Sequence, residues 1–154
     1  MNGPNWPGAN EGGRQGGYHR PSMGAEIPDD LTDLLTTNVL GHVSALRRDG
    51  AMAQYLMWVD FDGEHVLTSS MVGSRKAANW RRDPQVAVSV VDRSDDWRFL
   101  IIRGRVVETR PDEGLVFIDK MSLRYTGQTY RVRDRQREIF VIQPDHVRAS
   151  GGRR

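Results

Sequence analysis

The stretch Val66-Leu-Thr-Ser-Ser-Met-Val-Gly-Ser-Arg-Lys-Ala-Ala-Asn-Trp-Arg-Arg-Asp-Pro84 contains the strongest structural signals in the chain. An apolar run leads into three consecutive hydroxyl residues and a Gly-Ser pair, and a short basic segment follows. Ser74 is a favourable N-cap residue, and Pro84 keeps the residue before it out of helical geometry. The pattern therefore predicts a strand, a turn and a helix over 75–82.

The start of this predicted helix suits an anion. Unpaired N–H groups at a helix N-terminus attract negative charge, and Arg75 and Lys76 stand beside them. The chain has neither a Walker loop nor a Rossmann glycine run. The segment is thus a candidate for holding the phosphate of a cofactor, and a basic helix face exposed only to solvent is the plainer alternative.

Composition limits the remaining possibilities. The 154 residues suit one domain, and 38% of them are apolar. No run of 18 apolar residues predicts a membrane span, and the N-terminus has no secretory signal pattern. The chain has no cysteine, which excludes disulfides, thiolate catalysis and cysteine metal sites. We expect a cytoplasmic protein.

The basic excess lies in the tails. Residues 27–150 contain 18 Lys and Arg against 18 Asp and Glu, so we do not expect a nucleic-acid partner. Residues 1–26 are rich in Gly, Pro, Asn and Arg and predict a disordered tail. Residues 27–150 form the predicted domain, and 151–154 form a C-terminal tail. Gly-Arg pairs in both tails leave an RNA-associated module as an alternative.

Alternating apolar residues and turn signals predict a mainly β fold. Asp49-Gly50 and Asp62-Gly63 are typical of hairpin turns. Closing the sheet into a small antiparallel barrel would remove its exposed edges. The six predicted strands cover residues 39–47, 52–61, 64–70, 86–91, 97–108 and 138–142.

Two further helices are predicted. Asp29 and Asp30 precede leucines at positions 31, 34 and 35, which indicates a short amphipathic helix. Pro111 is expected to open the other helix. Its apolar stripe is formed by Phe117, Met121 and Tyr125 at a spacing of four.

Other polar residues suggest local roles. The four histidines, His19, His42, His65 and His146, share no metal-type spacing, so no metal site is expected. We expect His42 and His65 to be ordinary sheet residues. Asp60 and Asp62 flank a turn and are predicted to make local hydrogen bonds.

A family resemblance adds to this interpretation. The predicted order begins with three strands separated by two Asp-Gly turns. A basic helix follows and ends in Asn79-Trp-Arg-Arg-Asp-Pro84, and then comes Val-Ala-Val-Ser-Val-Val-Asp92. This order resembles the split β-barrel flavin-binding proteins related to pyridoxamine-phosphate oxidase, and more closely the branch that uses the deazaflavin coenzyme F420. Arg103-Gly104-Arg105-Val106 and Ile118-Asp119 … Arg124-Tyr125-Thr-Gly127 also match.

The resemblance covers about residues 27–150 and implies a six-stranded antiparallel split barrel with a few short helices. It implies a homodimer with the cofactor near the interface. One departure concerns the basic pair, since the family's arginine usually precedes the lysine by two residues. Here Ser74 has that place and the arginine is Arg75. Neighbouring helical positions point differently, so Lys76 is the firmer expected phosphate ligand.

The resemblance assigns further residues to the cofactor site. Asn79 would support the site from the helix, Trp97 would cover its mouth, and Tyr125 would reach it from the other subunit. Strand residues complete the expected set: Thr68, Ser69 and Ser70 along the cofactor, and Gln54, Tyr55 and Met57 facing its ring.

The implied activity is hydride transfer between reduced F420 and an unidentified electron-poor small molecule. No catalytic dyad is evident, and the proton has three possible sources: solvent, Tyr125 or an arginine. An FMN-dependent oxidase or reductase of the same fold is an alternative. A non-catalytic carrier of deazaflavin or tetrapyrrole is another.

Overall fold

The computed structural model describes residues 24–152, in which seven strands form one antiparallel sheet. The expected tail over 1–26 lies almost wholly outside the described residues. The strands are β1 (Gly41–Leu46), β2 (Met52–Met57), β3 (Val59–Phe61), β4 (Val66–Met71), β5 (Gln85–Val91), β6 (Arg98–Pro111) and β7 (Arg137–Gly151). The helices are α1 (Asp33–Thr36), α2 (Arg75–Arg82) and α3 (Val116–Thr126), with 3₁₀ turns at Asp29–Leu31 and Glu113–Leu115.

The sheet turns back on itself at Trp58. The strand order is β2-β1-β5-β6-β7-β4-β3, so β2 and β3 lie at opposite ends although only Trp58 separates them in sequence. β2 pairs with β1, and β3 pairs with β4. The prediction of one strand over 52–61 is therefore wrong, and there are seven strands rather than six. The mainly β, antiparallel prediction is confirmed.

Side chains satisfy the backbone groups at this break, which we call the seam. The Thr68 hydroxyl donates to the Trp58 carbonyl oxygen at 2.9 Å. The Tyr125 hydroxyl accepts from the Val59 N–H at 3.3 Å and donates to the Val39 carbonyl oxygen at 2.6 Å. The Tyr125 ring also stacks on Trp58 with centroids 5.3 Å apart. Buried backbone N–H and C=O groups need hydrogen-bond partners, and at the seam the side chains of Thr68 and Tyr125 supply them.

Two apolar clusters hold the remaining elements. The first fills the barrel, where Phe140 packs on Trp80 of α2 with ring centroids 4.9 Å apart. Leu31, Leu34 and Leu35 are buried in this cluster, which confirms the predicted N-terminal helical segment. The second cluster lies under α3 on the other side of β4 and β7. It contains Leu67, Leu115, Phe117, Ile118, Met121 and Val141.

The start of α3 differs from the prediction. Pro111 is the last residue of β6 rather than the first residue of the helix. Gly114 and Leu115 both have a φ of 62°, so the backbone turns sharply before the helix begins. The Asp112 carboxylate accepts the backbone N–H groups of Phe117 and Ile118 at 2.8 and 3.0 Å. Asp112 therefore caps the N-terminus of α3, although it lies before the sharp turn that precedes the helix.

Candidate functional site

Residues 66–84 form the predicted strand, turn and helix. α2 spans Arg75–Arg82, and the Ser74 hydroxyl caps it by accepting the Ala77 N–H at 3.2 Å. The Ser70 hydroxyl lies 2.8 Å from that of Ser74. The end of β4 and the start of α2 are therefore fixed to each other, and Lys76 is placed on the first turn of the helix.

Lys76 borders a cleft between the barrel and α3. The cleft has a volume of about 230 Å³. Aromatic and apolar side chains form most of its wall, and Ser69 contributes a hydroxyl group. Its lining residues are Leu56, Met57, Trp58, Ser69, Lys76, Phe117, Ile118, Met121, Tyr130 and Arg137.

Arg137 is the second cation of this cleft, and the sequence did not single it out. Its Nε donates to the Ser69 hydroxyl at 3.1 Å, and its Nη1 donates to the Tyr130 hydroxyl at 3.2 Å. The guanidinium lies 5.0 Å from the centre of the Tyr130 ring. Arg137 is the first residue of β7 and pairs with Met71 at the end of β4. This pairing brings it to the cleft from a distant part of the sequence.

Neither cation forms a salt bridge with a carboxylate of residues 24–152, although the negative charge of Asp112 acts on Arg137 and opposes the lowering of its pKa. Lys76 instead lies with its Nζ 5.1 Å from the centre of the Tyr55 ring. Burial lowers the pKa of Lys76, and the positive charge of Arg137 lowers it further. Burial likewise lowers the pKa of Arg137. Two partly desolvated cations that face one cleft favour an anion between them.

The other predicted site residues on strands divide into two groups. Tyr55, Met57 and Ser69 lie at the cleft or against Lys76. Gln54 is exposed, on the face of β2 opposite to Tyr55 and Met57. Thr68 and Ser70 are buried, and their hydroxyls are engaged at the seam and with Ser74 respectively. These two residues shape the cleft without lining it.

The remaining predicted residues stand further from the cleft. Asn79 is buried and accepts a hydrogen bond from Arg82 at 3.2 Å. Arg75 is exposed. Trp97 is 55% exposed on the loop between β5 and β6 and is not among the lining residues. Tyr125 has its hydroxyl engaged with the backbone, and burial raises its pKa.

Asp60 departs from its predicted role. Asp62 does make local bonds, accepting from the N–H groups of Glu64 and His65 at 2.9 and 2.6 Å. Asp60 instead accepts from Lys120 at 2.7 Å and from Arg124 at 2.9 Å, both on α3. Burial alone would raise the pKa of Asp60, but these hydrogen bonds outweigh it and lower that pKa. The Asp60 cluster therefore fastens α3 to the barrel.

Two larger cavities adjoin the cleft. A charged cavity of about 640 Å³ shares Arg137 with it. Its other charged lining residues are three arginines and four carboxylates: Arg81, Arg133, Arg135, Asp112, Glu113, Asp134 and Glu138. Arg81 pairs with Glu138, and Arg133 pairs with Asp119. A second cavity of about 380 Å³ shares Trp58. We call it the His42 cavity, and its walls include Leu40, His42, Val91 and Arg93. The cleft thus lies between a charged cavity and a more apolar one.

This antiparallel sheet, with its edges joined at Trp58 and two cations beside α2, corresponds to a known family. The family model described as pyridoxamine 5'-phosphate oxidase matches residues 27–151. The chain belongs to this family. The family relationship confirms the resemblance noted from the sequence, and with it the split-barrel fold. The superfamily is of the flavin and deazaflavin oxidoreductase type.

Solved structures give the same picture. An F420 reductase is 30% identical, with a TM-score of 0.73, and the match covers 79% of this chain and 98% of that one. A conserved hypothetical protein from Mycobacterium tuberculosis is 20% identical (TM-score 0.63, coverage 88% and 90%). General Stress Protein 26 from Bacillus anthracis is 16% identical (TM-score 0.61, coverage 81% and 94%). These last two share the fold. No curated protein matches the chain.

Two further features of residues 24–152 bear on the site. They hold no group of three or more His, Cys, Asp or Glu side chains placed to bind a metal ion. None of their helices has the length and apolar character needed to cross a membrane.

Proposed function

We propose that this protein is an oxidoreductase that uses coenzyme F420 to transfer a hydride to an electron-poor small molecule. The observation that carries the proposal is the pair of cations, Lys76 and Arg137, which face one cleft and form no salt bridge with a carboxylate of residues 24–152. The F420 reductase that is 30% identical over 79% of the chain supports the choice of cofactor.

The residues of the cleft suit the phosphate of such a cofactor. Lys76 and Arg137 would pair with its charge, and the Ser69 hydroxyl would add a hydrogen bond. When bound, the reduced cofactor supplies the hydride, while the protein orients the reactants and excludes water. Tyr130 and Trp58 both line the cleft with their aromatic rings. The two rings meet edge to face with centroids 6.3 Å apart.

The neighbouring cavities suggest how the rest of the cofactor would lie. At about 230 Å³ the cleft is smaller than the 300–1,000 Å³ of ordinary ligand pockets. Among the described residues, the charged cavity beyond Arg137 offers a polyglutamate tail one arginine without a salt bridge, Arg135, because Arg81 and Arg133 already pair with Glu138 and Asp119. The aromatic ring system suits the apolar side, toward Trp58.

FMN is the second candidate cofactor, because the same two cations suit its phosphate. A flavin oxidase or reductase would use the cleft in the same way. The choice of F420 over FMN rests on the F420 reductase that is 30% identical. A carrier of either cofactor would bind it without turnover.

A homodimer with the cofactor near its interface belongs to the same proposal. The outer sheet face carries a row across four strands, Leu56, His42, Ser89 and Ile101, which are paired in register. Leu56 is 65% exposed and Ile101 is 41% exposed in the single chain. A second copy on this face would cover them and bring Trp97 and Tyr125 near the partner's cleft. A cytoplasmic location agrees with a sequence without cysteine.

Titration of the purified protein with F420 and, separately, with FMN tests the proposal. Quenching of tryptophan fluorescence reports binding, since Trp58 lines the cleft. We expect micromolar or tighter binding of F420 and weaker binding of FMN. A preference for FMN would move the assignment to the flavin enzymes, and binding of neither would overturn it.

Sedimentation velocity tests the dimer separately. We expect the wild-type chain to sediment as a dimer and the Ile101→Glu variant as a monomer, because a buried unpaired charge is costly at an interface. A wild-type monomer that still binds F420 would remove the dimer from the proposal.

A further inference from the structure

Lys76 differs from an ordinary surface lysine in the surroundings of its amine. The side chain is half-buried at the cleft, and its Nζ lies 5.1 Å from the centre of the Tyr55 ring. It forms no salt bridge with a carboxylate of residues 24–152, and Arg137 lines the same cleft. Burial and the positive charge of Arg137 both lower the pKa of Lys76. A desolvated lysine beside a second cation is an activated nucleophile, because more of it is present as the free amine.

Lys120 is the only other lysine of the chain, and its surroundings are the opposite. Its Nζ donates to the Asp60 carboxylate at 2.7 Å, so its ammonium group has a partner within the fold. The Lys120 side chain is nevertheless 59% exposed. Exposure alone would make Lys120 the more reactive of the two amines, whereas the contacts of the two amines favour Lys76.

The cleft also offers a place for an anion beside this amine. The Nε and Nη1 atoms of Arg137 donate to the hydroxyls of Ser69 and Tyr130 at 3.1 and 3.2 Å, which fixes the guanidinium at the cleft. Its Nη2 forms no hydrogen bond within residues 24–152 and is left for a ligand. Trp58 adds an aromatic wall, and the volume of about 230 Å³ suits a small molecule. A compound with an anionic group for Arg137 and an electrophilic carbon for Lys76 matches this arrangement.

We propose that Lys76 forms a reversible imine with a small aldehyde that carries an anionic group, and that Arg137 and Ser69 hold this group. The imine occupies the cleft and excludes the cofactor phosphate, so the aldehyde is an inhibitor. This second part rests on the proposed function. The covalent site itself depends only on the contacts of Lys76 and Arg137, and a cleft that admits a cofactor also admits a smaller aldehyde.

Imine formation needs no oxidant or reductant. The nitrogen lone pair of Lys76 forms a bond to the aldehyde carbon, and the π electrons of the C=O bond move to the oxygen. A proton then passes from the nitrogen to this oxygen through solvent, which gives a carbinolamine. The hydroxyl group and a second nitrogen proton leave as one molecule of water, and a C=N bond remains. Water reverses both steps, so the extent of modification follows the aldehyde concentration.

Reductive trapping with 4-formylbenzoate tests the site on the cofactor-free protein. This probe is an aromatic aldehyde with one carboxylate, and benzaldehyde is the matched probe without it. Cyanoborohydride converts each imine into a stable secondary amine, and peptide mass spectrometry locates the adduct. We expect 4-formylbenzoate to label Lys76 at least about tenfold faster than Lys120. Labelling of Lys76 no faster than that of Lys120 would overturn the covalent site.

The two probes together test whether Arg137 holds the anionic group. The ratio of Lys76 to Lys120 labelling should be at least about threefold higher with 4-formylbenzoate than with benzaldehyde. Arg137→Gln should remove this preference, and Arg48→Gln, on the exposed turn between β1 and β2, should keep it. Inorganic phosphate gives the same test without a substitution, since it should slow labelling of Lys76 in the wild type and leave that of Lys120 unchanged. Equal ratios for the two probes in the wild type would overturn the role of Arg137.

Competition with the cofactor separates this inference from the proposed function. Saturating F420 should suppress labelling of Lys76 and spare Lys120. Protein already trapped at Lys76 should bind F420 at least about tenfold more weakly than untreated protein. Binding of F420 without protection of Lys76 would overturn the inhibition. Failure of the wild type to bind F420 would instead refute the proposed function, and the ratio of Lys76 to Lys120 labelling would still judge the covalent site.

Discussion

Two pairs of cations lie against this barrel, and they differ in where their negative charge comes from. Lys120 and Arg124 on α3 share the carboxylate of Asp60, which is 3% exposed. Lys76 and Arg137 face the cleft, and neither forms a salt bridge with a carboxylate of residues 24–152, although the charge of Asp112 acts on Arg137. The first pair is complete within the fold. Under the proposed function, an anion from outside the chain completes the second pair.

The presence or absence of a paired carboxylate determines whether a cation pair stabilises the fold or is available for binding. A cation pair with a resident carboxylate attaches one element to another, as α3 is attached to β3. A pair without one costs the fold desolvation and mutual repulsion, which a bound anion offsets. Such a cost is typical of functional sites. Lysine and arginine thus stabilise the fold where a neighbouring strand supplies an aspartate, and destabilise it where no strand does.

Removing the resident carboxylate should give the largest effect. Asp60→Asn leaves both cations without their counterion and should lower the free energy of unfolding by about 2–4 kcal/mol. Urea denaturation measures this. Asp145→Asn, which removes a more exposed pair with Arg105, should cost less than about 1 kcal/mol. Equal effects of the two substitutions would contradict the structural role of Asp60.

Removing a cation of the cleft should weaken binding rather than folding. Lys76→Ala and Arg137→Ala should each weaken F420 binding by roughly 1.5–3 kcal/mol, the range of a charge-assisted hydrogen bond. Fluorescence titration measures the change in Kd. Arg48→Ala, on the exposed turn between β1 and β2, is the control and should have a smaller effect. Unchanged affinity would remove the substituted residue from the phosphate site.

Acid should act on the Asp60 cluster in a defined direction. The pKa of Asp60 is lowered from its ordinary 3.8 in the folded protein. Its contribution to stability is therefore complete above that value and is lost as pH falls below it. The stability difference between wild type and Asp60→Asn should shrink over this range in urea titrations. A difference that stays constant down to pH 3 would contradict the lowered pKa.

Replacing a cleft cation by an apolar side chain should give the smallest effect. Lys76→Met removes a desolvated, unpaired charge and should leave the unfolding free energy unchanged or raise it by up to about 1 kcal/mol. Added inorganic phosphate should raise the Tm of wild type more than that of the variant. A clear loss of stability in Lys76→Met would show that the lysine supports the fold.

Local signals were enough to predict the element that borders one side of the candidate site. The Ser74 cap, the basic residues after it and the Asp83-Pro84 stop all act within ten residues, and α2 forms where they predict. The hydroxyls of β4 were also found, although Thr68 and Ser70 serve the seam and the cap rather than the cleft.

The other side of the site depends on strand pairing, which local patterns do not determine. Arg137 and Ser69 are 68 residues apart and meet only because β7 pairs with β4. Asp60 and Lys120 are 60 residues apart, so a turn-like local pattern at Asp60 gave the wrong partners. The largely apolar segment over 52–61 likewise gave no sign that the chain changes partner strands at Trp58.

The seam has a consequence for how the molecule opens. Because one residue links strands at opposite ends of the sheet, fraying of β2 pulls on β3 and loosens the hydrogen bond between Tyr125 and Val59 of β3. We therefore expect the two edges to open in concert, with amide hydrogen exchange in β2 and β3 proceeding at a shared rate. A ligand that rests on Trp58 would slow exchange at both edges at once.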